Sequence, residues 1–329
     1  MKTFRRTLLA TGVAMGCLAA LPAQAQAPSN YPSRPITVIV PYPPGGDTDA
    51  IARLFAEKLG ESLKATVVVE NKGGAGGTLG TSYVSRSKPD GYTILFTPNP
   101  FTTAQMVLKL PSSTSYDVLN GFEPIIQTAT QPLILAANPN TGFKSVKDML
   151  DKAKSGQTVS YGSPGAGSPM HIIAEWLNIE ADVKLTHVPY RGVGPSVTDA
   201  VAGHVDTVWA TVGAVSQYIK AGRLVPLAIG DAERSKLAPT VPTLVESGYP
   251  KVIVGAWQGF FAPKNTPKEI VDLLNKHLND ALKQADVVEK LAVFGAEPTG
   301  GTPEVLAQTN ASDFNVQGKL IRDLGITAE

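Results

Sequence analysis

The chain has 329 residues, and 29 Lys and Arg stand against 28 Asp and Glu for a formal net charge of +1. Near-neutrality excludes a general nucleic-acid binder, which needs a basic face to neutralise phosphates. One Cys excludes an intrachain disulfide or a cysteine-built metal cluster, and 43% hydrophobic residues exclude a disordered chain, with a length that suggests about two domains.

The first element predicted is an export signal. Lys2, Arg5 and Arg6 precede an uncharged apolar run from Thr7 to Leu21, followed by Pro22-Ala23-Gln24-Ala25 with small residues where signal peptidase reads. This pattern predicts a secretory signal peptide over residues 1–25, its apolar run being short of the ~20 residues that span a bilayer. Arg5-Arg6-Thr7-Leu8-Leu9 leaves a twin-arginine route open, and Ala14-Met15-Gly16-Cys17 leaves lipidation at Cys17 open; Met15 fits the lipoprotein box poorly, which favours cleavage after Ala25 or Ala27. Removing residues 1–25 leaves 26 bases, 28 acids, a net charge of −2 and no Cys, the composition of an exported soluble protein.

Strands and helices then alternate. Ile36–Val40 reads as a buried parallel strand, Pro43-Pro44-Gly45-Gly46 breaks it, and Ile51, Leu54, Phe55 and Leu59 follow at helical spacing. Thr66–Val69 and Tyr92–Thr97 are the next strands, with the Gly-rich segment 73–80 leading into a helix through Arg86. This β-α-β-α-β order implies a parallel sheet. Further strands are predicted at Leu133–Ala137, Val159–Tyr161, Leu185–Val188, Val205–Ala210 and Leu224–Ile229, with helices near 145–155, 168–178, 194–203 and 213–221. Trp257–Phe261 precedes two helices, Pro267–Ala285 and Pro303–Leu324, while Phe122–Ala129 and Val252–Ala262 read as crossovers. The expected architecture is α/β: a signal peptide at 1–25, one lobe from 26–127 plus 254–329, a second from 128–253, and a ligand cleft between them.

Two loops carry the candidate chemistry. Gly45, Gly46 and Thr48 lie between the first strand and the first helix, where backbone can approach a ligand and unpaired N–H groups favour an anion. Thr48 either caps that helix or donates to the ligand. Ser163-Pro164-Gly165-Ala166-Gly167-Ser168 repeats the pattern before a helix starting near Ser168 or Pro169, so the loops together could hold a single anion, or a dianion with one carboxylate per loop. The segment 73–80 has Leu79 where a dinucleotide fingerprint needs its third glycine, and reads as a tight loop with close packing. His171, His187, His204 and His277 lack metal spacing; His171, in a first turn, is placed to orient the Ser163–Ser168 loop. No nucleophile–base pair is evident, so no reaction, metal or cofactor is expected.

The chain resembles the Bug receptors, the extracytoplasmic solute receptors of tripartite tricarboxylate transporters. The likeness rests on Tyr31-Pro32-Ser33-Arg34-Pro35-Ile36, Val40-Pro41-Tyr42-Pro43-Pro44-Gly45-Gly46-Asp47-Thr48-Asp49 and Val69-Glu70-Asn71-Lys72-Gly73-Gly74-Ala75-Gly76-Gly77. It continues through Asp90-Gly91-Tyr92-Thr93-Ile94-Leu95, the Tyr161–His171 loop, His187-Val188-Pro189-Tyr190-Arg191-Gly192 and Ala200-Val201-Ala202-Gly203-His204-Val205-Asp206, ending at Ala221-Gly222-Arg223-Leu224. The resemblance implies a type II periplasmic-binding-protein fold, two lobes closing on a small carboxylate: a di- or tricarboxylate, an acidic amino acid or an aromatic acid. Carried over, it makes Gly45 to Thr48 and Ser163 to Ser168 the carboxylate grip, with Tyr42, Asn99, Phe101 and Tyr190 at the cleft and Asp206 and Thr211 as lesser candidates. It also implies a periplasmic monomer whose partner is a membrane transporter.

One departure stands out. Family members commonly carry a small or neutral residue where Asp47 stands, so Asp47 either points to solvent or recognises a ligand amino group. Phe101, Tyr190 and Trp257 would accommodate an aromatic ring, or serve as core. A sensory receptor for the same ligands, and an enzyme on the same scaffold with His171 as acid–base, are the alternatives.

Overall fold

A computed structural model describes residues 30–327; the expected signal peptide and Cys17 lie outside the described residues. The first strand, β1 (Ile36–Val40), is almost wholly buried because helices cover both faces of its sheet. Helix α1 (Asp47–Leu63) returns the chain to β2 (Val67–Asn71), and α2 (Thr78–Ser85) to β3 (Thr93–Pro98); β1 pairs in parallel with both strands. Helix α3 (Pro100–Val107) then leads to β4 (Phe122–Gln131).

After Pro132 the chain enters a second sheet as β5 (Leu133–Ala137). There follow α4 (Val146–Lys154), β6 (Ser160–Ser163), α5 (Pro169–Ala181), β7 (Thr186–Pro189), α6 (Val193–Ala202), β8 (Thr207–Thr211), α7 (Val212–Lys220) and β9 (Val225–Ile229). The chain returns through β10 (Ala256–Pro263), α8 (Lys268–Leu282), α9 (Ala285–Val293), β11 (Glu297–Pro298) and α10 (Pro303–Asp323).

The first sheet has the order β11-β4-β10-β3-β1-β2 and the second β7-β6-β8-β5-β9. Both are mixed. The returning strand β10 runs antiparallel to β3 and β4, and β5 antiparallel to β8 and β9, while β6, β7 and β8 are parallel. The α/β fold class expected from the alternation is the fold observed, and parallel pairing holds for β1–β3. Sequence reading missed α3, where Pro100 marks a break but also suits the first helical position, and it missed α9 and the two-residue β11.

Each sheet has its own core. In the first, Phe55 of α1 meets Phe96 and Phe260 at centroid distances of 6.5 and 6.1 Å, and those two lie 4.6 Å apart. All three are fully buried, so truncating any one would cost about 3–5 kcal/mol. Helix α10 ties the halves together: Leu306 packs with the first sheet's aromatics, while Ile321 packs into the second sheet's core.

The Gly-rich segment 73–80 is a packing device. A Cβ on Gly80 would lie 2.6 Å from the Lys72 carbonyl oxygen and 2.9 Å from Pro41 Cα, so only glycine lets α2 approach the loop after β1 this closely. Tyr42, on that loop, reaches the segment through its hydroxyl, 3.4 Å from the Gly76 carbonyl.

Candidate functional site

Five helices begin at one cleft. Strands β1, β3, β6, β7 and β8 each run into a helix, and the residues at the cap positions just before those helices are Gly46, Asn99, Ser168, Gly192 and Thr211. All five line a cavity of about 860 Å³ between the two sheets. This is the carboxyl edge of the strands, where open α/β sheets place ligands. Only α5 is capped by its own side chain, Ser168 Oγ accepting the His171 N–H at 3.2 Å; the other four starts have no side-chain cap. Each helix start carries roughly half a positive charge. The cleft is therefore electropositive at the backbone level in a nearly neutral chain.

The first loop is held by a buried carboxylate. Asp49 is 5% exposed and accepts hydrogen bonds from the Gly45 N–H at 2.9 Å, Arg53 Nε at 3.1 Å and Asn71 Nδ2 at 2.9 Å. Burial alone would raise its pKa, but these donors outweigh it and hold the carboxyl below the usual range. Thr48 sits inside the first turn of α1, with Gly46 at the cap, so it lines the cleft and does not cap the helix. Asp47 also lines the cleft. Partial enclosure by protein raises its pKa, and the Gln131 amide offsets part of that rise.

The second loop is held from beneath. Gly167 adopts φ +73°, and its N–H donates to His171 Nδ1 at 3.1 Å. His171 stacks on His187 at 3.9 Å, and His187 Nε2 lies 2.7 Å from Ser163 Oγ. Ser163 Oγ also accepts the Gly165 N–H at 3.2 Å. Burial depresses the pKa of His171 to about 4; burial, with neighbouring His171, does the same for His187. Both rings are therefore neutral at pH 7, which leaves His171 Nδ1 free to accept.

Of the residues picked from sequence, Tyr42, Gly46, Asp47, Thr48, Asn99, Ser168 and Thr211 line the cleft. Ala166 and Gly167 line a smaller cavity of about 310 Å³ that shares Tyr42 and Ser168 with it. Gly45 shapes the first loop through its bond to Asp49.

Four picks lie elsewhere. Phe101 is 1% exposed, parallel to Tyr116 at 5.6 Å and edge-on to Phe122, so it is core. Ser163 is fully buried, its hydroxyl committed to His187 and the loop backbone. The Tyr190 hydroxyl donates to Asp199 at 2.7 Å, and its ring borders a separate cavity over His171 and His187. Asp206 precedes β8 at the edge away from the cleft and accepts from the Ser160 N–H and hydroxyl, each at 2.8 Å. Trp257 is likewise core, its Nε1 donating to Asp313 at 2.8 Å.

The lining residues that escaped sequence reading include Arg191, Gln131 and Gln258. Arg191 follows β7 immediately before the Gly192 helix start, a position that strand–loop–helix logic could have flagged. The two glutamines come from β4 and β10, distant in sequence and joined only by the fold.

Residues 51–326 match the family model described as "Tripartite tricarboxylate transporter family receptor". The protein BugT of Bordetella pertussis is 37% identical over 297 residues, covering 90% of this chain and 90% of BugT. A structure from R. palustris solved with adipate superposes with a TM-score of 0.77 at 30% identity, covering 91% of this chain and 99% of that one. MatC from Rhodopseudomonas palustris, solved with bound malate, superposes at 0.73 and 31% identity, covering 88% of this chain and all of MatC. With the Bug-type motifs, the two-sheet α/β fold and these relatives agreeing, the chain belongs to the tripartite tricarboxylate transporter receptor family, a family of periplasmic solute receptors.

Proposed function

We propose that this protein captures a small organic carboxylate in the periplasm and delivers it to the membrane components of a tripartite tricarboxylate-type transporter. The observation that carries the reading is the convergence of five helix N-termini, four without side-chain caps, on one cleft with Arg191 at its wall. A carboxylate gains up to ~2 kcal/mol at each partly buried helix start. A charge-assisted hydrogen bond from Arg191 adds roughly 1.5–3 kcal/mol. The backbone ends together outweigh the single guanidinium.

In this reading the lobes are 26–127 with 254–329, and 128–253, and they close about the crossing strands. Residues 1–25 direct export, and the protein works as a monomer whose closed form is read by the membrane partner. The relatives solved with adipate and malate support a carboxylate ligand. His171, the acid–base candidate of the enzymatic alternative, has its Nδ1 engaged by Gly167, which favours a receptor over an enzyme.

A thermal-shift screen of the mature protein against di-, tri- and aromatic carboxylates tests the reading. At least one should raise the melting temperature in a concentration-dependent way. No shift with any carboxylate would contradict it.

A further inference from the structure

The first sheet's side of the cleft wall holds three amide side chains, and two of them keep a buried oxygen without a partner. Gln258 Nε2 donates to Gln131 Oε1 at 2.9 Å, and Gln131 Nε2 faces the Phe294 carbonyl at 3.3 Å. That carbonyl fixes the direction of both amides, since turning either would set oxygen against oxygen. Gln258 Oε1 is left without a partner. Asn99 lies alongside, its backbone N–H donating to the Trp257 carbonyl at 3.0 Å. Its Nδ2 donates to the Gly255 carbonyl at 3.0 Å and to Asp313 at 3.3 Å, which leaves Asn99 Oδ1 unpartnered too. Both side chains are 1% exposed, and both stand in the cleft wall. A buried acceptor without a donor costs about 1–3 kcal/mol, so two in one wall call for a donor.

Charge points the same way. Two carboxylates line the cleft, and Asp49 is already satisfied by Arg53, Asn71 and Gly45. Asp47 enters no ion pair among the described residues, and neither does Arg191, the one cationic side chain in the wall. Asp47 comes with the first sheet, beside the amide row; Arg191 comes with the second, beside the starts of α5, α6 and α7.

Building on the receptor reading, we infer that the ligand is an aminocarboxylate. Its carboxylate lies toward Arg191 and the second-sheet helix starts, and its ammonium group lies toward Asp47, Gln258 Oε1 and Asn99 Oδ1. A second carboxylate at that wall would meet acceptors and a negative charge; an ammonium group supplies the missing donors and the countercharge.

Calorimetric titration of the mature protein tests this with 4-aminobutyrate against succinate, and with 6-aminohexanoate and L-norleucine against adipate. At least one aminocarboxylate should bind tenfold or more tightly than its dicarboxylate partner. Asp47→Asn, an isosteric change at an exposed site, should weaken that aminocarboxylate about tenfold and leave the dicarboxylate unchanged or tighter. Dicarboxylates binding as well or better would overturn the inference while leaving the carboxylate-receptor reading intact. Equal losses for both ligands in Asp47→Asn would make Asp47 a closure contact and would also overturn it. If no carboxylate of either kind binds, both readings fall.

Discussion

The two loops that face each other across the cleft share one anchor geometry, a glycine N–H donating to a side chain four residues on, and differ in the chemistry of that anchor: a carboxylate in one, a neutral imidazole in the other. The Gly45–Asp49 loop is anchored by one acid within its own helix, reinforced by Arg53 and Asn71, and it rests on a glycine-lined neighbour. The Ser163–Ser168 loop is anchored by the neutral ring of His171 in its own helix, backed by the stacked ring of His187 from β7, and by its own Ser168 cap. The first presents a charged side chain, Asp47, to the cleft; the second presents mainly backbone. The comparison teaches how one cleft can grip a common group and still discriminate. A loop of fixed backbone suits the carboxylate that every ligand of this kind shares, and a loop and wall decorated with side chains suits the part that differs.

The comparison breaks most sharply at the first anchor. Replacing Asp49 by Ala strips a buried carboxylate from three donors and leaves Arg53 and the Gly45 N–H unmatched. Chemical denaturation should show a loss of about 2–4 kcal/mol, because three hydrogen bonds to a charged group are lost while the half-exposed Arg53 turns to water.

Acid should separate the loops next. The folded pKa values of His171 and His187 lie near 4, below the ordinary value of 6.5. The unfolded chain thus binds more protons between these limits, and stability falls as pH drops from about 6.5 toward 4. At pH 5 stability should have fallen by roughly 1–3 kcal/mol relative to pH 7, less than the two shifts would give in full because His187 is only half-buried, read from urea midpoints. Asp49, with its depressed pKa, keeps the first loop's anchor ionised across the same window. Ligand affinity should therefore fall through the second loop, and a His171→Gln variant should flatten the pH profile.

Gly167→Ala comes third. It places a Cβ 2.6 Å from Val107 Cγ2 at a backbone angle that side chains resist. A cost of about 1–3 kcal/mol is expected, with weaker ligand binding.

Arg191→Ala should disturb the fold least and act on binding alone. The guanidinium is exposed and in no ion pair among the described residues, so the fold should keep its stability while calorimetry shows binding weaker by about 1.5–3 kcal/mol. An unchanged affinity would assign the whole grip to the helix starts.

How much of this could be read in the sequence follows from how local each feature is. Ile36–Val40 announces a buried strand, and Pro43-Pro44-Gly45-Gly46 announces a turn into a helix, because both depend on neighbouring residues. The same holds for Ser163–His171, where a serine cap and a proline at the first helical position mark the start of α5. The amide pair was invisible because Gln131 and Gln258 meet only when β10 returns antiparallel beside β4. Phe101 shows the opposite error. An aromatic residue just past a strand end has the same local pattern whether it faces a ligand or the core, and here Tyr116, Phe122 and Phe261 claim it. Asp206 was misplaced for a geometric reason, since it stands just before its strand begins and the cleft lies where strands finish.

The most direct test of the central claim is a crystal structure of the mature protein with the tightest-binding carboxylate from the screen. The account predicts a ligand carboxylate within about 3 Å of backbone N–H groups at the starts of cleft helices, Ser168 and Thr48 among the lining residues. A carboxylate bound instead in the cavity over His171 and His187, or anywhere away from those helix starts, would contradict it.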